Sequence, residues 1–160
     1  MSDPHRTRFA PAERATTRTI NAQAKRVQES PAFRECFDAV NEVVVILNAQ
    51  RQIIFSNARL VEMLKLSGCQ EILGQRPGEV LDCVHAREAQ NGCGTDEHCC
   101  ECGAIEAIMT ASLLDHEEAL PCRLIRVGGD TMDLLVRATP IRVGRDTFTI
   151  LAITDSLGDT

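Results

Sequence analysis

Five cysteines fall within twenty residues of this chain, at Cys83, Cys93, Cys99, Cys100 and Cys102. Any fold has to accommodate that stretch, because thiols bury readily and are also the softest ligands a protein owns. Nine, five and two residues separate Cys83, Cys93, Cys99 and Cys102. Two cysteines with two residues between them can reach one metal from a single tight turn. Gly92 and Gly94 flank Cys93 and Gly103 follows Cys102, so the backbone can approach sulfur closely there. A helix starting after Cys102 would add free N–H groups and a positive dipole end, which favour thiolate charge.

The 160 residues, 44% of them hydrophobic, allow one core plus an arm. No apolar run reaches the length of about eighteen residues that a membrane span needs. The polar start lacks the apolar stretch of a secretory signal, so a cytoplasmic location is expected. In that reducing compartment clustered cysteines serve metal binding or redox chemistry more than structural disulfides. The net charge of -6 argues against nucleic acid as the main partner. Residues 1–30 run against that balance, with six Lys/Arg and three Asp/Glu. Five Phe with no Trp or Tyr leave few rings for stacking bases.

Along the chain, residues 1–29 read as a basic arm, weakly ordered or helical, with Phe9, Ile20 and Val27 as its large apolar residues. Ser30-Pro31 is a helix start, and Phe33, Phe37 and Val40 share a helical face. Val43 to Leu47 is a β-branched run that reads as a strand buried on both faces. Gln52 to Phe55 pairs with it as a hairpin. Leu60, Val61 and Leu64 mark another helix, and Gly68 and Gly74 break the next stretch into short pieces. After the cysteines, Ala104 to Leu114 predicts a helix with Ile105, Ile108, Met109 and Ser112 inward. Alternation at Leu120, Cys122 and Leu124, at Met132, Leu134, Val136 and Ala138, and at Phe148, Ile150 and Ala152 predicts three antiparallel strands. Pro140 limits pairing near the end of the second. The domain proper spans 30–155, with a tail at 156–160.

This order resembles a PAS domain. The residues that carry the likeness are Val44–Asn48, Ile53–Asn57, Leu134–Ile141 and Ile150–Asp155. The resemblance implies an α+β fold: a five-stranded antiparallel sheet with short helices on one face and a cysteine-rich loop inserted before the long helix. Arg51-Gln52 stands where that family often has Gly in the first hairpin turn. The string from Pro77 to Ala104, Pro-Gly-Glu-x-x-x-Cys-x-His-Ala then Gly-Cys-Gly-Thr-x-x-x-Cys-x-x-Cys-Gly-Ala, resembles a cysteine-rich PAS subgroup of bacterial sensor proteins. In the PAS pattern this segment forms the wall of the ligand cavity.

The metal set is therefore read as Cys83, Cys93, Cys99 and Cys102, holding an iron–sulfur cluster in preference to zinc. Zinc sites more often pair two close knuckles than use one knuckle with irregular spacings. His85 and His98 are candidate nitrogen ligands, though hydrogen bonding is the plainer role for each. Cys100 is a spare or resolving thiol. Cys36, Cys69 and Cys122 read as small buried hydrophobes. The function this implies is a non-enzymatic sensor of oxygen or redox state. Its expected partner is a histidine kinase or other output protein, with no nucleic acid and no membrane involved. A homodimer through Ile20, Phe33 and Phe37 is expected, unless the two rings close the domain's own core. Two other readings compete: a structural zinc site in a dimerisation or docking module, and a Cys-x-x-Cys thiol oxidoreductase.

Overall fold

The computed structural model of the chain describes residues 3–155; the tail at 156–160 lies outside them. The β-branched run forms β1 (Val43–Leu47) and pairs antiparallel with β2 (Ile53–Ser56). Nearly every residue of both strands is buried, as a run without alternation predicts. The alternating segments form β3 (Glu118–Ile125), β4 (Thr131–Val143) and β5 (Asp146–Asp155). The five strands lie in the order β2-β1-β5-β4-β3, each neighbour antiparallel. Pairing of β3 with β4 ends at Ala138, whereas β4 runs on through Pro140 beside β5 alone.

The helices are α1 (Thr17–Val27), α2 (Pro31–Asp38), α3 (Ala58–Met63), α4 (Pro77–Val80), α5 (Val84–Glu88) and α6 (Gly103–Leu114). Short 3-10 turns occupy Cys69–Glu71 and Glu97–Glu101. One sheet face carries the main core, where Val45, Leu47, Leu124, Leu134, Val136 and Leu151 meet Leu60 of α3 and Ala107, Ile108 and Ala111 of α6. Each such large side chain contributes roughly 1.5–3 kcal/mol on burial. The other face is covered at the β1–β2 end, because Ile20 and Val27 of α1 pack on Ile46, Ile54 and Phe148. Phe33 and Phe37 of α2 join there, their rings 5.2 and 5.6 Å from that of Phe55. Both rings and Ile20 thus close the chain's own core.

Two local features position the site. The inward face of α6 is Ile105, Ala107, Ile108 and Ala111, whereas Ser112 is exposed. Ile105 and Ile108 face inward as expected and Met109 is half-buried, while Ala107 and Ala111 rather than Ser112 complete the face and let the helix lie close to the sheet. Gly103 makes that approach closest: a Cβ there would sit 1.9 Å from the Pro121 carbonyl oxygen of β3. The second feature is the β1–β2 turn, where Arg51 takes the left-handed conformation at φ 64°. That conformation costs a non-glycine residue of order 1 kcal/mol or more. Its buried guanidinium donates to the carbonyls of Pro11 and Cys93 at 3.0 and 3.2 Å.

Candidate metal centre

The segment from α4 to α6 wraps around a cavity of about 380 Å³ against the main-core face of the sheet. Cys83 precedes α5, and its N–H bonds the Gly78 carbonyl at 2.8 Å. Gly92 and Gly94 adopt φ of 83° and 91°, a region favouring glycine, and turn Cys93 inward. A Cβ on Gly78 would lie 2.9 Å from the Cys93 sulfur and 3.3 Å from Cys83 Cβ. Glycine at that position therefore lets these two cysteines close on each other. Cys99 lies in the Glu97–Glu101 turn, which Asp96 caps by accepting from the His98 N–H. Cys102 is the N-cap residue of α6.

All four predicted cysteines line this one cavity, and Cys93 and Cys99 are buried. Cys100 does not line it and is exposed. Cys36 is also exposed, so it is not the buried hydrophobe its sequence position suggested. Cys69 is buried in its turn, away from the cavity. Cys122 is buried on β3 and lines the cavity, its sulfur 3.9 Å from that of Cys102. Cys122 is the small buried residue its sequence position predicts. Its alternation with Leu120 and Leu124 places it on the inward face, where it packs in the main core and lines the cavity.

The two histidines pair with each other. Their rings stack at 4.6 Å, and Asp96 lies beside both, 2.7 Å from His98 Nδ1 and 3.9 Å from His85 Nδ1. The Asp96 hydrogen bond raises the His98 pKa. His85 Nδ1 is buried with no hydrogen-bond partner.

The N-terminal arm forms the outer side of the loop. The N–H groups of Arg8 and Ala10 bond the carbonyls of Thr95 and Gly94, at 3.0 and 2.9 Å, and Ala10 and Ala12 are buried. Arg76, fully buried, ties arm and loop together. It donates to Glu13 O at 2.8 Å, Gln50 O at 2.9 Å and Asn91 O at 3.3 Å. Glu79 completes the joint by accepting from Arg14, from the Arg76 N–H and from the Cys93 N–H.

No protein-family model and no curated protein sequence matches the chain. Solved structures do match. A PAS domain from a two-component sensor histidine kinase aligns over 80% of this chain and 96% of its own, at TM-score 0.52 and 11% identity. The Rhodobacter sphaeroides LOV protein aligns over 81% and 68%, at 0.55 and 16%. The PAS domain of nitrogen regulation protein NR(II) from Vibrio parahaemolyticus aligns over 76% and 95%, at 0.51 and 14%. The fold is that of PAS domains.

Within this PAS fold the cavity suits a metal centre by donor chemistry and charge. Backbone N–H groups of Gly78 favour the thiolate of Cys93, those of Asp96 and Gly94 that of Cys99, and those of Ile105 and Ala104 that of Cys102, against the burial that raises all three. Such donors hold anionic sulfur. Where the arm meets the loop stand the guanidiniums of Arg14, Arg51 and Arg76 with the carboxylate of Glu79, Asp96 lies on the side of Cys99, and Arg51 Nε is buried without a partner. A thiolate–metal centre of net negative charge would be favoured by the guanidiniums on the arm side of the loop. Burial pushes Cys93 up to about 12 and raises Cys99, so neither offers the thiolate that disulfide exchange needs. Across the Cys102–Cys122 contact the mutual hydrogen bond lowers Cys122 and raises Cys102, with burial adding to the rise.

Sulfur spacing bears on the kind of metal. A single tetrahedral ion with metal–sulfur bonds of about 2.3 Å holds its sulfurs ~3.8 Å apart. Among the described residues, the grouping of three ligand atoms within 4.8 Å of one another is His85, Asp96 and His98, with no three cysteine sulfurs so close.

Proposed function

We propose that this domain is a sensory PAS module whose cysteines, Cys83, Cys93, Cys99 and Cys102, hold an iron–sulfur cluster. In this reading the cluster's oxygen- or redox-dependent state is the signal. The observation that carries it is that these four cysteines, two of them buried, line one cavity against the sheet. A cluster spreads its sulfurs further apart than one zinc ion does, which favours it over the structural zinc reading. The raised Cys93 and Cys99 thiols weigh against the oxidoreductase reading.

When bound, an iron–sulfur cluster supplies an electron-transfer couple tuned by hydrogen bonds and solvent exposure. The protein's own residues would supply that tuning. N–H groups of Gly78, Gly94, Ala104 and Ile105 favour the thiolates, Ile105 and Ile108 limit water, and Arg51 and Arg76 offset negative charge. Because Arg51 and Arg76 also hold the carbonyls of Pro11 and Glu13, a change in the loop's charge would reach the arm and α1. That route suits an output partner such as a histidine kinase. Among the described residues no helix is long and apolar enough to cross a membrane.

The test compares hydrogen exchange of anaerobic protein with its visible spectrum, before and after a measured dose of oxygen. Loss of the spectrum should accompany faster exchange at residues 8–15 and at the start of α6. A bleached spectrum with unchanged exchange at both segments would reject the sensory role.

A further inference from the structure

Cys122 is the sulfur that the loop motif does not contain, and it both packs in the main core and opens onto the thiol cavity. It is 7% exposed, lines the same cavity as the loop cysteines, and places its sulfur 3.9 Å from that of Cys102. Two thiolates on one tetrahedrally ligated metal atom, each about 2.3 Å from it, stand ~3.8 Å apart. The observed pair already has that separation. The backbone produces it: Gly103 has no Cβ, and one there would lie 1.9 Å from the Pro121 oxygen and 3.5 Å from Cys122 Cα. Cys69, of similar burial, has no place in the cavity.

We propose that Cys122 is itself a metal ligand, sharing one metal atom with Cys102 and fixing the centre to the sheet. This rests on the proposed metal centre and holds for iron or zinc alike. Each thiol that binds forms a sulfur–metal bond and releases its proton to solvent. A tetrahedral zinc or a two-iron cluster takes four thiolates, so Cys122 joins Cys102 and two of the other loop sulfurs, and one of the four ligands then comes from a strand paired along its length with β4. The strand sulfur is the one through which a change at the centre acts directly on the sheet, since Cys122 pairs with Leu134 of β4.

The test uses the full chain loaded with cadmium-113, a soft ion that thiolates take readily. Proton–cadmium correlation spectra report which cysteine β-protons couple to the metal. Couplings from both Cys122 and Cys102 are expected. Coupling from Cys102 without Cys122 overturns the inference and leaves the metal reading standing. A wild-type chain that binds none of iron, zinc and cadmium overturns both. As a second measurement, Cys122→Ser and Cys122→Ala should weaken cadmium binding at least about tenfold, a loss that even outer-shell changes produce. Cys69→Ala, the buried control, should keep wild-type affinity. Because the coupling experiment uses the wild-type chain, a folding defect in either Cys122 variant leaves the outcome decidable.

Discussion

At the scale of single residues, the site depends on charged side chains buried where a sequence reading does not look for them. Arginine is almost never fully buried unless its charge is compensated, and Arg76 is held by backbone carbonyls from the arm, the β1–β2 turn and the loop. Burial and the neighbouring Arg51 lower its pKa to about 10, so it stays charged at neutral pH. Arg76→Met would leave those carbonyls unpaired and should cost roughly 3 kcal/mol. Arg76→Lys should recover little, because a point charge cannot reach acceptors spread around a planar fork. Urea unfolding measures both, and a Met variant within about 0.5 kcal/mol of wild type, the range of ordinary surface changes, would contradict this role. Arg51 shows why such residues escape notice. Where the family often has Gly, this chain has an arginine in a left-handed turn, and the function of that departure is visible only once its guanidinium is seen to reach Cys93 O and Pro11 O.

At the scale of elements, periodicity carried much of the reading. Period-two alternation located β3, β4 and β5, and the unbroken β-branched run located β1. What periodicity lacked was contact between elements. The approach of α6 to β3 is set by Gly103, and the sequence offered it only as a turn residue after Cys102. Without that approach Cys122 reads as one more small apolar residue on an inward face. Gly103→Ala tests the contact cleanly, since alanine suits a helix start but its Cβ collides with Pro121 O. Overpacking of this kind costs typically 1–3 kcal/mol, so the melting temperature should fall by several degrees. The separation of Cys102 from Cys122 should grow with it, lowering metal content per chain. A variant with wild-type melting and wild-type metal content would refute the account of how helix and strand are joined.

At the scale of the whole molecule, the sheet is covered on both faces at one end. The main-core face holds the thiol cavity, and α1 and α2 cover the other. The arm links the two, lying along the cysteine loop at residues 8–10 and leading into α1 at Thr17. Sequence alone could not show this, because the arm has few large apolar residues and is held mainly by backbone hydrogen bonds and by Arg51 and Arg76. The metal itself was legible only as a donor set, since spacing names the ligands better than the ion. The most direct measurement is iron, sulfide and zinc content per chain after strictly anaerobic purification, with an absorption spectrum of the same sample. With no Trp or Tyr in the chain, protein absorbance leaves cluster bands unobscured. Iron and acid-labile sulfide in matching amounts, with broad visible bands, are the predicted result. Colourless protein carrying zinc alone, or no metal, would contradict the central claim.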